Sequence, residues 1–354
     1  MRHRPILISL AVIAVVVGAL ILRILWIAGQ FRTITPHFAG HCRLIKGPVG
    51  PEDLTIDPRT GVAYISAADR RASLAGRPVP GAIFAYDLTA SNPSPVNLTP
   101  NADITFQPHG LSLWAGKDER AALYVINHPP SGQPAHTVEI FDLKHGALVR
   151  RASLTDPLLV MPNDLVAVGF DRFYLTNTNN YPPGMMQTLE TFLQLPGAKV
   201  VYYADGMFRP ALEGLVFPNG INVSADGRTL YVAAMTQRRV LVYDRDPRTE
   251  QLTRRDAIFI GSGVDNIEVD AGGNLWIGAH PKLLKVMALR DDPSVLAPAQ
   301  VFRVSAGGGG RYQVDEIYLN AGDQIAAASV AAVRGQRLLI GQIFGNGFLD
   351  CTLG

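Results

Sequence analysis

Short apolar, β-branched runs separated by turn residues fill this chain from about residue 42 to its end, and a polar pair recurs at the head of such a run. Glu52-Asp53 stands in GPEDLTID, His109-Gly110 in FQPHGLSL, Asn163-Asp164 in MPNDLVAV, Asn219-Gly220 in FPNGINVS and Asp265-Asn266 in GVDNIEVD. Each pair is followed by a turn and a second apolar run, such as TLYVAA (residues 229–234) or NLWIGA (residues 274–279), which is the pattern of a β-hairpin. The pairs return about every 55 residues, and after about 46 for the last, a period that marks a propeller or a similar array. Six units are expected, the sixth less regular and assembled from VDEIYL (314–319), ASVAAV (328–333) and RLLIGQI (337–343). Helical periodicity is confined to residues 185–195, which read as an amphipathic helix at the channel mouth. The expected fold is all-β, a six-bladed propeller.

In a propeller the innermost strands line a central channel, so polar residues at their starts converge on the axis. A ring of Glu, Asp and Asn oxygens suits a hard cation, and calcium above magnesium, because it accepts six to eight oxygen ligands flexibly. The spacings that bind zinc are absent from the sequence. One such pair alone would be a turn as readily as a ligand. Recurrence in phase is what points to ligands.

Lys and Arg number 32 against 30 Asp and Glu, a net charge of +2, and no basic run is long enough for a nucleic-acid stripe. The N-terminus departs from the rest. An uncharged apolar run spans residues 6–22 and continues past Arg23 to Ala28, about 25 Å and about 34 Å as a helix, which brackets a bilayer core. Arg2 and Arg4 before it favour a cytoplasmic N-terminus. A cleaved signal peptide is the other reading, but Trp26 would fill its −3 position if Ala28 were −1. The expected organisation is a signal-anchor over residues 1–29, a linker over 30–41 and a propeller over 42–354 on the extracytoplasmic side of the membrane. There the two cysteines, Cys42 and Cys351, bracket the repeats and read as a disulfide closing the ring, with a pair of buried thiols as the alternative. Asn97 and Asn222 match the glycosylation acceptor pattern, the second inside an expected strand.

Together, GPEDLTID, Pro108-His109-Gly110, Asn127-His128-Pro129 with TVEIFDL, PNDLVAVG with FYLTN, FPNGINVSADG, VDNIEVD with LWIGAHP and the terminal cysteine pair resemble the paraoxonase/arylesterase family, in the family's order and from about Cys42 onward. The resemblance implies two calcium ions. A catalytic ion would be held by Glu52, Asn163, Asn219, Asp265 and Asn266, and a deeper structural ion by Asp53, Asp164 and the backbone carbonyl of Leu111. It also implies a histidine dyad, His109 taking the proton from water and His128 orienting it, and an activity on lactones and aryl esters with phosphotriesters as side substrates.

His280 and Phe217 are expected to line the pocket, with Trp114 as further apolar wall; His3, His37, His41 and His136 read as solvated. Two departures stand out. Ala279 replaces the family's free pocket cysteine, and residues 67–81 form a long basic loop in which Arg70, Arg71 and Arg77 either face the mouth or are solvated. The leading expectation is a calcium-dependent arylesterase and lactonase that takes a small ester or lactone substrate. The alternatives are a sugar lactonase of the gluconolactonase type and a membrane-anchored, calcium-stabilised propeller without catalysis.

Overall fold

The computed structural model describes residues 4–116, 120–130 and 136–354; Arg2 and His3 lie outside them. Six antiparallel sheets form the blades of a propeller. Their first strands are Pro51–Ile56, Pro108–Ala115, Pro162–Gly169, Pro218–Val223, Gly263–Val269 and Ala328–Arg334, and these touch one another in a closed cycle, the sixth returning to the first. The apolar runs behave as their sequence requires. Second strands, sandwiched between neighbouring blades, are buried along their length, as in Ala121–Asn127 and Leu275–His280. Outermost strands such as Leu252–Phe259 are largely exposed. The core is therefore a set of apolar layers between adjacent blades.

Each first strand also breaks register with its partner near its start, at Pro51/Asp53, Pro108/Leu111, Pro162/Leu165, Pro218/Ile221, Val264/Ile267 and Ala328/Val330. A bulge re-aims the residues on it. Six in phase turn the polar pairs toward the channel. Four of the strands open on proline, which has no N–H to give and fits where a ladder begins.

Gly40–Val49 pairs with Asn346–Leu353, so the sixth blade combines one N-terminal strand with three C-terminal ones. Cys42 lies opposite Cys351 and the two form a disulfide 309 residues apart. By the loop-entropy model such a closure contributes about 4 kcal/mol or more. One expectation about this blade is corrected. VDEIYL belongs to Tyr312–Asn320, the fourth strand of blade five, where it pairs with Ala299–Ala306. A helix inserted between the second and third strands of blade five delays its outer strands in the sequence, and that displaced the count.

Four α-helices among the described residues decorate this frame: α1 (Arg4–Ile27), α2 (Arg70–Leu74), α3 (Met185–Leu193) and α4 (Leu283–Asp291), the last being the insertion in blade five. Helix α3 is the amphipathic segment expected at residues 185–195. Asp69 caps α2, its Oδ1 accepting the Ala72 N–H at 2.9 Å. Ile8–Ile27 is long and apolar enough to cross a membrane and is not buried by protein. Its last turn nonetheless docks on the propeller. Arg23 donates to Gln194 Oε1 at 2.6 Å, the Arg238 guanidinium lies 4.0 Å above the Trp26 ring, and the Leu283 N–H donates to the Ala28 carbonyl at 3.0 Å.

A candidate metal centre and active site in the channel

Four of the five expected upper ligands are buried to 3% exposure or less, namely Glu52, Asn219, Asp265 and Asn266, and Asn163 is partly buried. Asn266 Nδ2 donates to Glu52 Oε1 at 3.1 Å, and Ser329 Oγ donates to the Glu52 carbonyl at 2.5 Å. Sequence reading missed Ser329. It stands in blade six where the other blades carry Glu52, His109, Asn163, Asn219 and Asp265, so its phase was the available signal. Four oxygens from four blades are then left buried without a partner: Glu52 Oε2, Asn163 Oδ1, Asn219 Oδ1 and Asn266 Oδ1. Orphaned buried acceptors cost about 1–3 kcal/mol each, so a native protein satisfies them. Among the described residues no three carboxylate, histidine or cysteine side chains gather into a metal cluster. The convergent donors are mostly amide oxygens, a set that fits calcium and does not fit zinc.

Close approach of neighbouring first strands brings these oxygens together, and glycine permits it. A Cβ on Gly110 would lie 2.4 Å from the Asn163 carbonyl, and one on Gly220 would lie 2.4 Å from the Asp265 carbonyl. Gly110 and Gly220, the glycines after His109 and Asn219, are thus part of the site.

A second layer is built from Asp53 and Asp164. Asp53 accepts the N–H of Leu54 at 2.9 Å and of Leu111 at 2.7 Å; Asp164 accepts those of Leu165 at 2.7 Å and Ile221 at 2.8 Å. Each carboxylate so joins two blades, while every oxygen keeps a second lone pair for a cation. The contact of Leu111 with Asp53 is made by its N–H. Glu268, unremarked in the sequence, accepts from Thr55 at 2.9 Å and from Asn222 at 3.2 Å, which occupies one of the two candidate glycosylation asparagines. Burial pushes Glu52 up to about 8 and raises Asp53, Asp164 and Glu268 well above the carboxylate range, with neighbouring carboxylates adding to the shift. Of these acids only Glu52 has a guanidinium acting to lower it.

That guanidinium belongs to Arg70, on the loop whose role was open. Its Nη1 donates to the Gly50 carbonyl at 2.9 Å and its Nη2 lies 3.0 Å from His109 Nδ1 and 4.0 Å from Glu52 Oε2. Arg71 turns instead to the Leu289 and Phe344 carbonyls, and Arg77 is exposed. His109 Nε2 faces Glu52 Oε2 at 3.6 Å. Burial, then the Arg70 charge, lowers His109 well below the usual histidine range. His128 meets His109 as a ring edge, centroids 4.9 Å apart, while its own Nδ1 bonds His136 Nδ1 at 2.9 Å. The hydrogen-bond partner of His109 Nδ1 is thus Arg70, while His128, expected to orient His109, meets it through its ring edge. His136 is not solvated as expected, because its Nδ1 lies 2.9 Å from His128 Nδ1; His37 and His41 are exposed.

His280 is buried, with Nε2 2.7 Å from Asp265 Oδ2 and Nδ1 unpartnered. It lines a cavity of about 190 Å³ together with Phe217, Phe192, Ile24 and Ile27, so α1 supplies part of the wall. Phe217 has φ 45°, an uncommon backbone for an aromatic residue and a feature of strained functional sites. Trp114 is not part of that wall. It lies near the end of the strand Pro108–Ala115 opposite to His109 and packs on Phe170 with centroids 5.4 Å apart.

The fold and this channel define a six-bladed propeller with an oxygen-lined, partly cationic mouth. The arylesterase family profile matches residues 33–353, and the chain belongs to that family of ester hydrolases. It is 32% identical to serum paraoxonase/arylesterase 2 of Rattus norvegicus over 313 residues, 86% of each chain. It is also 32% identical to serum paraoxonase/arylesterase 1 of Homo sapiens over 323 residues, 88% of this chain and 89% of that one. Among solved structures, the calcium-binding protein regucalcin of Agrobacterium tumefaciens shares the fold, with a TM-score of 0.52 at 17% identity over 92% of this chain and 98% of the other.

Proposed function

We propose that the protein is a calcium-dependent hydrolase of lactones and aryl esters, with phosphotriesters as side substrates, anchored in a membrane through α1 with the propeller on the extracytoplasmic side. Membership of the arylesterase family supports the reaction class. The observation that carries the calcium reading is the set of four unpartnered oxygens, converging from four blades on one end of the channel. Glu52, Asn163, Asn219, Asp265 and Asn266 would hold a catalytic ion, and Asp53, Asp164 and the Leu111 carbonyl a structural one. Bound there, calcium would polarise the substrate carbonyl and offset the charge that develops on its oxygen.

The chain's own groups supply the rest. The cavity beside His280 and Phe217 takes the apolar part of the substrate and excludes water from it. An attacking water needs a proton acceptor within hydrogen-bond reach. His109 and the Asp265–His280 pair are the groups that flank the ring of oxygens. A purely structural calcium site would favour the non-catalytic alternative, but it has no use for an ionisable pair opening into an apolar cavity.

The test is hydrolysis of phenyl acetate and of a panel of γ- and δ-lactones by the full chain in detergent, with calcium and then with excess chelator. Turnover that calcium restores supports the reading. No turnover from a protein whose melting temperature still falls on chelation would overturn it in favour of a calcium-stabilised binding propeller.

A further inference from the structure

We propose that Arg70 is a positioning residue that fixes the tautomer of His109, so that His109 meets the substrate as a hydrogen-bond donor on Nε2. The inference rests on the hydrolase reading for its consequence but not for its geometry. A guanidinium carries donors only, so at 3.0 Å from Arg70 Nη2 the His109 Nδ1 must accept. A neutral imidazole has one N–H, and here it is left to Nε2.

That nitrogen points to the ring of oxygens, 3.6 Å from Glu52 Oε2, which accepts no hydrogen bond and meets Arg70 Nη2 only at 4.0 Å. Asn163 Nδ2 lies 3.3 Å from the same nitrogen and cannot also donate to it. The shorter, charge-assisted contact with Arg70 prevails. Arg70 is itself held fast. Its Nη1 bonds carbonyls of Gly50 and Ile343 and its Nη2 reaches that of Pro108, which ties the sixth, first and second blades together at the mouth. A donor set so committed orients its acceptor and does not wander to bind a substrate anion. His109 then stabilises the oxygen that gains charge, keeps its proton, and leaves the proton of water to another acceptor.

The experiment reads the tautomer directly. The full chain, with ¹⁵N-labelled histidine, is studied in detergent at about pH 8, above the ordinary imidazole range, by long-range ¹H–¹⁵N correlation, first with chelator and then with calcium. His109→Gln identifies the His109 signals among the eight histidines. The expected result is an unprotonated Nδ1 and a protonated Nε2 in both states. Arg70→Met should mix the tautomers and lower kcat for phenyl acetate on the order of 100-fold with KM little changed, and Arg70→Lys should recover part of each. A proton on Nδ1 or a bare Nε2 in the parent protein overturns the proposal, as does an unchanged tautomer in Arg70→Met. The expected tautomer in a chain with no esterase turnover would support the placement by Arg70 and count against the hydrolase reading instead.

Discussion

Asn266 and Glu52, 214 residues apart, are joined by a 3.1 Å hydrogen bond from Asn266 Nδ2 to Glu52 Oε1, which leaves Asn266 Oδ1 and Glu52 Oε2 buried without a hydrogen-bond partner. The bond sets the separation of two blades and aims two acceptors at once. It also identifies the charge that matters most, since Glu52 is the anionic member of the unpartnered set.

Glu52→Gln keeps the shape, and the amide oxygen can still accept from Asn266, but the negative charge is gone. Calcium affinity, measured by calorimetric titration, should fall at least about tenfold, roughly 1.4 kcal/mol, and calcium-dependent phenyl acetate turnover should fall with it. An affinity equal to that of the parent would remove Glu52 from the ion site.

Asp53 acts on a different quantity. Its carboxylate accepts two backbone N–H groups, one on the neighbouring blade. Asp53→Ala strands both in a buried layer at about 1–3 kcal/mol each. The melting temperature should drop even with chelator present, and the rise that calcium gives the parent should shrink, because an ion that binds only the folded state stabilises by mass action. A calcium-induced rise as large as the parent's would mean that no ion sits on Asp53.

Much of this was legible in the sequence because the polar pairs recur in phase with the hairpins, and phase survives folding. Glu52, Asn163, Asn219, Asp265 and Asn266 converge because bulges stand at the same place in each first strand. The closing strand was legible through the position of Cys42 and Cys351. What failed to show depended on contacts between segments distant in the chain. Arg70 looked like one basic residue of a loop, and only the fold places it against His109. His136 looked solvated because its contact with His128 is not written in the composition around it, and Trp114 looked like pocket wall because strand length alone does not say which end faces the mouth.

The glycine after Asn219 offers a test of the spacing between blades. A Cβ at Gly220 would meet the Asp265 carbonyl at 2.4 Å and the Asn266 Cα at 2.6 Å, both backbone atoms of the next first strand. Gly220→Ala must push that strand aside, at about 1–3 kcal/mol of overpacking, and in doing so it separates Asn219 from Asp265 and Asn266. Both melting temperature and calcium affinity should fall. Gly206→Ala is the control: its φ of +79° makes alanine strained there, but nothing lies within 4 Å, so stability alone should suffer. Equal calcium affinity in the two variants would show that the approach of blades four and five is not needed for the site.

Helix α1 is expected to take part in substrate binding, because Ile24, Ile27 and Ala28 share one cavity with Phe217 and His280. The docking contacts of Arg23, Trp26 and Ala28 fix that turn against α3, the Arg238 loop and α4. A substrate carrying an alkyl chain beside the scissile ester would bury it against these side chains, and each buried methylene is worth about 0.8 kcal/mol. In a series of phenyl esters from acetate to octanoate, kcat/KM of the full chain should climb with chain length until the cavity is filled. Ile27→Asp should flatten that climb while leaving phenyl acetate turnover near the parent value, since acetate does not reach α1. Parallel slopes for the two proteins would show that the acyl chain lies elsewhere and that α1 serves as an anchor alone.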